Sequence, residues 1–283
     1  MLANPEDTPQ ARHRKMYYRG STTIFSCRKD PRFAYCLYVP QSFDESPDNH
    51  QLLVAVHGTG RTMVEYRDAF AEFGRFNRYI ILAPLFPVGP LGDGNPHGFK
   101  YLKEGDIRYD EVLLAMVDEV AQTLSTTFDR FSLFGYSGGG HFANRFYYLH
   151  PERLRSVSIG APGSVTLLDD SREWWVGTGG IEAVFGKSLD LAALREVDVQ
   201  LLVGAADLET WEIHYSPESV QYKEGINDSG RTRVERNATL AANLRSHDIR
   251  VQQDIVPNTA HAGMSVVPYV QDFLLGLQPE MQD

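Results

Sequence analysis

The chain has 283 residues, the size of one large domain or two small ones. Hydrophobic residues make up 42% of it and charged residues 23%, a composition that buries a sizeable core and excludes both disorder and collagen-like repeats. The formal net charge of -10, from 27 basic against 37 acidic residues, argues against nucleic acid and anionic membrane surfaces as partners, because both require a basic patch.

Taken in chain order, the first twenty residues carry basic side chains with no apolar stretch after them, so no export signal is expected there. The longest apolar runs, such as LLVAV at 52–56, fall far short of the roughly 20 residues that span a bilayer. Cys27 and Cys36 are too few for a zinc cage or a disulfide framework, and free thiols in a cytoplasmic protein are expected. A two-residue turn at Pro31–Arg32 would nevertheless set 27 opposite 36. Positions 22–28 and 33–39 read as a hairpin, and 52–56 reads as a strand buried on both faces, which implies a parallel sheet. A helix over 62–77, a strand over 79–84 and a Pro/Gly-rich loop over 86–99 come next. Apolar residues at 112, 113, 116, 117, 120 and 124 then form a helical stripe over 111–124.

FSLFGY at 131–136 is the next strand, and it runs straight into small residues that open a helix. Strands over 154–162 and 199–206, a helix over 232–246, a strand over 250–256 and a helix over 265–276 complete the alternation. The expected class is therefore α/β, one domain over 1–283 with a mostly parallel central sheet and helices on both faces, its site at the carboxyl ends of the strands. Positions 163–195 interrupt the alternation after the sixth strand. This insert carries Trp174 and Trp175 and leaves the sheet where a lid would leave it.

Gly135-Tyr136-Ser137-Gly138-Gly139 matches G-x-S-x-G between a buried strand and a helix, the context in which a serine hydroxyl is exposed on a strained turn. Such a hydroxyl needs a base, and the base needs an orienting carboxylate. Asp207 is the first carboxylate past its strand, with Glu209, Glu212, Asp169 and Asp170 as competitors. His261 follows the 250–256 strand after a short loop, with His214 and His97 as weaker alternatives. His57-Gly58-Thr59-Gly60 ends a strand, so the N–H of Thr59 can join that of Gly138, at a helix N-terminus, as an oxyanion donor. Trp174, Trp175, Trp211 and Phe99 are candidate substrate-binding walls.

The set HGTG at 57, GYSGGG at 135, Asp207 and His261, in that order, resembles the α/β-hydrolase superfamily from about 33 to 277. Within it the chain looks most like the esterase and polyhydroxybutyrate-depolymerase-like group of serine hydrolases. Secreted depolymerases usually carry export signals and disulfides, neither of which is expected here. The resemblance thus implies a carboxylic ester hydrolase acting on a small-molecule ester, amide or thioester through an acyl-enzyme, with no cofactor and no metal. Acyl transfer, lyase chemistry or ligand binding without turnover are the alternatives the same site allows.

Overall fold

The computed structural model of the protein describes residues 8, 12, 13 and 16–278. The leading segment in which no export signal is expected lies largely outside the described residues. Ten strands are present among them: β1 (Gly20–Ser26), β2 (Ala34–Val39), β3 (Gln51–Val56), β4 (Tyr79–Leu85), β5 (Lys103–Glu104), β6 (Ile107–Arg108), β7 (Phe131–Tyr136), β8 (Leu154–Gly160), β9 (Asp198–Gly204) and β10 (Val251–Val256). The helices are α1 (Met63–Asn77), α2 (Tyr109–Leu124), α3 (Gly138–Leu149), α4 (Ile181–Phe185), α5 (Leu191–Arg195), α6 (Arg233–Ser246) and α7 (Gly263–Gly276).

Eight strands form one sheet in the order β1-β2-β4-β3-β7-β8-β9-β10, and only β2 runs against the others. β5 and β6 form a separate small hairpin. The period-2 alternation of the strands divides the core in two. Leu52, Val54 and Val56 of β3 pack on the face covered by α2, α3 and α6, while Leu53 and Ala55 pack on the face covered by α1 and α7. Both faces are thus sealed, which is why the central strands read as unbroken apolar runs. The short helices α4 and α5 lie in the insertion that follows β8, the sixth strand of the sheet. No helix among the described residues is long and apolar enough to cross a membrane.

The β1–β2 register differs from the one expected. Ile24, not Cys27, lies opposite Cys36, because the connection is longer than two residues: Phe33 N–H donates to Asp30, and Cys27 N–H to Phe33. Both thiols are free and buried. Burial pushes each thiol's pKa up, which keeps it protonated.

Candidate functional site

Ser137 is the entire connection between β7 and α3. It adopts φ 57°, ψ -112°, a backbone conformation costly for a residue with a side chain. Close packing imposes it. A Cβ on Gly135 would lie 2.1 Å from the Gly139 carbonyl oxygen, and one on Gly139 would lie 2.4 Å from that of Val56, so only glycine lets strand and helix approach this far. The Ser137 N–H donates to Gly160 O at 2.8 Å, which ties the turn to β8. The residue is half-buried, and among the described residues its Oγ has no hydrogen-bond partner.

Asp207 follows β9 and is buried, and its carboxylate accepts from two sides. His261 Nδ1 donates to Oδ2 at 2.6 Å, and Arg233 Nη1 donates to Oδ1 at 3.1 Å. Arg233 is placed by sequence chemistry, since it opens α6 behind a capping box in which Thr232 and Glu235 exchange hydrogen bonds, a device worth about 1 kcal/mol to a helix start. Its Nη2 donates to Glu212 at 2.8 Å. Of the competing carboxylates, Glu212 therefore belongs to Arg233, Asp169 accepts from Ser171, and Glu209 and Asp170 are exposed. With Nδ1 committed to Asp207, the other ring nitrogen of His261 has no partner among the described residues.

Two other histidines nearby are fixed at both nitrogens. His57 Nδ1 donates to Gly58 O at 2.8 Å while its Nε2 accepts the Phe86 N–H at 2.9 Å. His141 Nδ1 donates to Ser137 O while its Nε2 accepts the Ser164 N–H, both at 2.9 Å. Burial lowers the His57 pKa to about 4 and that of His141 well below its usual value, so both are neutral clamps. His57 shapes the turn that carries Thr59, and His141 ties the Ser137 turn to the insertion. The Thr59 and Gly138 backbones are neighbours: a Cβ on Gly138 would come 3.0 Å from Thr59 N.

Ser137, His261, Thr59, Lys100, Trp211 and Tyr215 are among the residues lining one cavity of about 620 Å³ at the carboxyl edge of the sheet. The aromatic residues singled out from sequence divide. Trp211 lines the cavity and is 74% exposed. Phe99 is buried beneath Gly138, where a Cβ would meet its ring at 2.9 Å. Trp174 and Trp175 are not cavity residues. Trp174 is buried edge-on against Phe185 at 5.0 Å, and Trp175 packs 4.4 Å from the Tyr101 ring with Lys223 over its face. The insertion's own apolar residues give its tryptophans a core, so it contributes Gly163 to the cavity, while the segment after β9 supplies residues 211–215, 219 and 221.

Sequence reasoning missed Arg233 and Lys100. The capping box ahead of a helix that follows the Asp207 strand could have suggested the first. Nothing local marks the second, a lysine in the turn after a Pro/Gly-rich loop. Lys100 is only 9% exposed, and its Nζ donates to His97 Nδ1 at 3.0 Å. Burial, followed by the charges of Arg61 and Arg145, brings its pKa down to about 8. Burial and then Lys100 hold His97 at about 4.

An eight-stranded sheet with β2 reversed, helices on both faces and this strand-turn-helix at Ser137 define the α/β-hydrolase fold. Solved structures of the same fold include a poly(aspartic acid) hydrolase-1 from Sphingomonas sp. KT-1, 19% identical, with TM-score 0.71 over 91% of this chain and 99% of that one. They also include a poly(3-hydroxybutyrate) depolymerase from Bordetella parapertussis, 18% identical, with TM-score 0.72 over 93% of each chain. An S-formylglutathione hydrolase from Agrobacterium tumefaciens is 18% identical, with TM-score 0.56 over 91% of this chain and 96% of that one. No family model matches the sequence, and no curated protein does.

Proposed function

We propose that the protein is a serine hydrolase that cleaves a small carboxylic ester, or a related thioester or amide, through an acyl-enzyme. The observation that carries this reading is the 2.6 Å hydrogen bond from His261 to buried Asp207 on the wall of the cavity into which the strained Ser137 turn opens. In this reading Ser137 Oγ attacks the substrate carbonyl carbon and its proton passes to His261 Nε2. Asp207 holds the imidazole in the tautomer that presents Nε2 as acceptor and stabilises the imidazolium that forms. The tetrahedral oxyanion is held by the N–H groups of Thr59 and Gly138, the latter at a helix start where such groups lack an intrahelical acceptor.

Collapse of that intermediate breaks the bond to the leaving group, which takes the proton from His261. Water then attacks the acyl-enzyme by the same route and releases the acid. No hydrogen bond joins Ser137 to His261 in this geometry, and such contacts commonly tighten only when substrate is bound. Neighbours of the same fold named as esterases, a depolymerase and an S-formylglutathione hydrolase support a hydrolytic reading over acyl transfer or binding alone. The two buried, free thiols fit a cytoplasmic location. Ser137→Ala should abolish hydrolysis of 4-nitrophenyl esters and labelling by a fluorophosphonate while the melting temperature holds. Hydrolysis persisting in that variant overturns the assignment.

A further inference from the structure

Lys100 lines the cavity into which Ser137 opens, on a wall it shares with Glu212 and Arg233. On a chain of formal charge -10, Arg61 and Arg145 stand behind it, close enough for their charges to act on it. None of these three, Lys100, Arg61 and Arg145, pairs with a carboxylate among the described residues. Arg61 donates to the carbonyls of Thr59, Phe86 and Pro96. Arg145, fully buried, donates to Thr166, Ser164 and the Lys100 carbonyl and lies 4.8 Å from the Tyr101 ring. Lys100 has one partner, the neutral His97. The acids nearest the cavity are committed: Asp207 to His261 and Arg233, and Glu212 to Arg233.

Taking an ion out of water costs several kcal/mol, and proteins rarely accept this without a counter-charge. Every guanidinium nitrogen of Arg61 and of Arg145 already donates to a carbonyl or hydroxyl oxygen, so their role is to set the field and to hold the backbone of this turn. Lys100 differs. An ammonium has three donors, one is used, and the side chain lines the cavity. Its turn is fixed on both sides, by Arg145 gripping its carbonyl and by Phe99 wedged against Gly138. A preorganised, under-coordinated cation inside a substrate cavity has the properties of an anion receptor.

We propose that the preferred substrate carries a carboxylate besides the bond to be cleaved, and that Lys100 receives it, with Arg61 and Arg145 supplying the surrounding positive field. This rests on the esterase reading and names its substrate class. Each pair of probe esters differs by one carboxylate: the 4-nitrophenyl hemiester of glutarate against 4-nitrophenyl pentanoate places the charge on the acyl side, and 4-acetoxybenzoate against its neutral 4-acetoxybenzamide places it on the leaving group. A charge-assisted hydrogen bond lost or gained corresponds to roughly ten- to a hundredfold in kcat/KM. The native enzyme should favour the charged member of at least one pair by that factor, mainly through KM. Lys100→Met should collapse the ratio towards one, and Lys100→Arg should retain most of it.

A lysine with only a structural role would lower both members equally and leave the ratio intact, which overturns the proposal, as does a native enzyme that treats the members of both pairs alike. The same question is put to binding by calorimetry on Ser137→Ala, using methyl hydrogen glutarate against methyl pentanoate. If no ester is hydrolysed by the native protein but this preference appears and vanishes in the Ser137→Ala/Lys100→Met protein, the anion site stands and the hydrolase reading falls. Hydrolysis of every ester without charge preference leaves the hydrolase reading standing and removes the anion site.

Discussion

The two ends of α3 hold buried charge in opposite ways. At its C-terminal end His150 Nε2 contacts Asp110 at 2.8 Å, Arg108 forks onto the same carboxylate at 2.7 and 2.9 Å, and Lys187 reaches Glu152 at 3.0 Å and the Leu149 carbonyl at 2.7 Å. Every cation there has an acid. At the N-terminal end, beside Ser137, Arg61, Lys100 and Arg145 have none among the described residues, although Arg145 is on the same helix. Burial raises the Asp110 pKa, but the hydrogen bonds from His150 and Arg108 outweigh it and hold the carboxyl below its usual range. At Lys100 burial and neighbouring cations act together and nothing opposes them but the distant pull of Glu212. One end pairs each of its charges, while the other holds Lys100 as a buried ammonium that no carboxylate pairs among the described residues.

The sharpest way to break this contrast is to change one acid at each end. Asp207→Asn at the cavity end should lower kcat by about 10⁴-fold, because an amide stabilises the wrong imidazole tautomer. A loss confined to Glu212→Gln would instead assign the orienting role elsewhere. Asp110→Asn at the far end should cost about 3 kcal/mol of stability in denaturant unfolding, by leaving Arg108 without its buried partner, while kcat stays within about twofold of the native value. The native protein should also lose Asp110's contribution as pH falls through the depressed folded-state pKa of this carboxyl, since its folded-state pKa lies below the unfolded one.

A smaller effect separates the ends by pH. Lys100 is faced by Arg61, Arg145, Arg233, Glu212 and His97, and its pKa of about 8 means the ammonium disappears as pH rises past that value. The preference for a carboxylated ester over its neutral partner should therefore fall roughly tenfold between pH 7 and 9.5, and should stay flat in Lys100→Arg. Taking the ratio cancels any effect of pH on the chemical step, which is common to both esters. The smallest effect runs against intuition: Lys100→Met should raise unfolding free energy by about 1 kcal/mol, because a buried cation without an acid opposes folding. A destabilised Lys100→Met would place Lys100 with the paired charges of the far end.

Much of this was legible from sequence, and for identifiable reasons. Strands buried on both faces leave unbroken apolar runs, so β3, β4 and β7 fell within a residue of their expected limits. The strained turn at Ser137 was legible because Gly135 and Gly139 flank it where no side chain fits, and the proximity of Asp207 and His261 because each stands just past a strand end. The hairpin register was not, since Asp30 moved the turn by hydrogen bonding that composition does not display. The tryptophans of the insertion were not, because an aromatic pair reads the same in a lid as in a small core. Lys100 is legible only in three dimensions: what sets it apart is that no carboxylate pairs with it among the described residues, and no spacing rule encodes that.

In the proposed mechanism Ser137 takes the acyl group, and intact-mass spectrometry of the enzyme quenched during turnover of a 4-nitrophenyl ester detects that transfer directly. Trapped protein should gain the mass of one acyl group, and peptide mapping should place it on Ser137, with the adduct accumulating in Asp207→Asn as deacylation slows. Steady turnover with no adduct at any quench time, or an adduct on another side chain, would contradict the account.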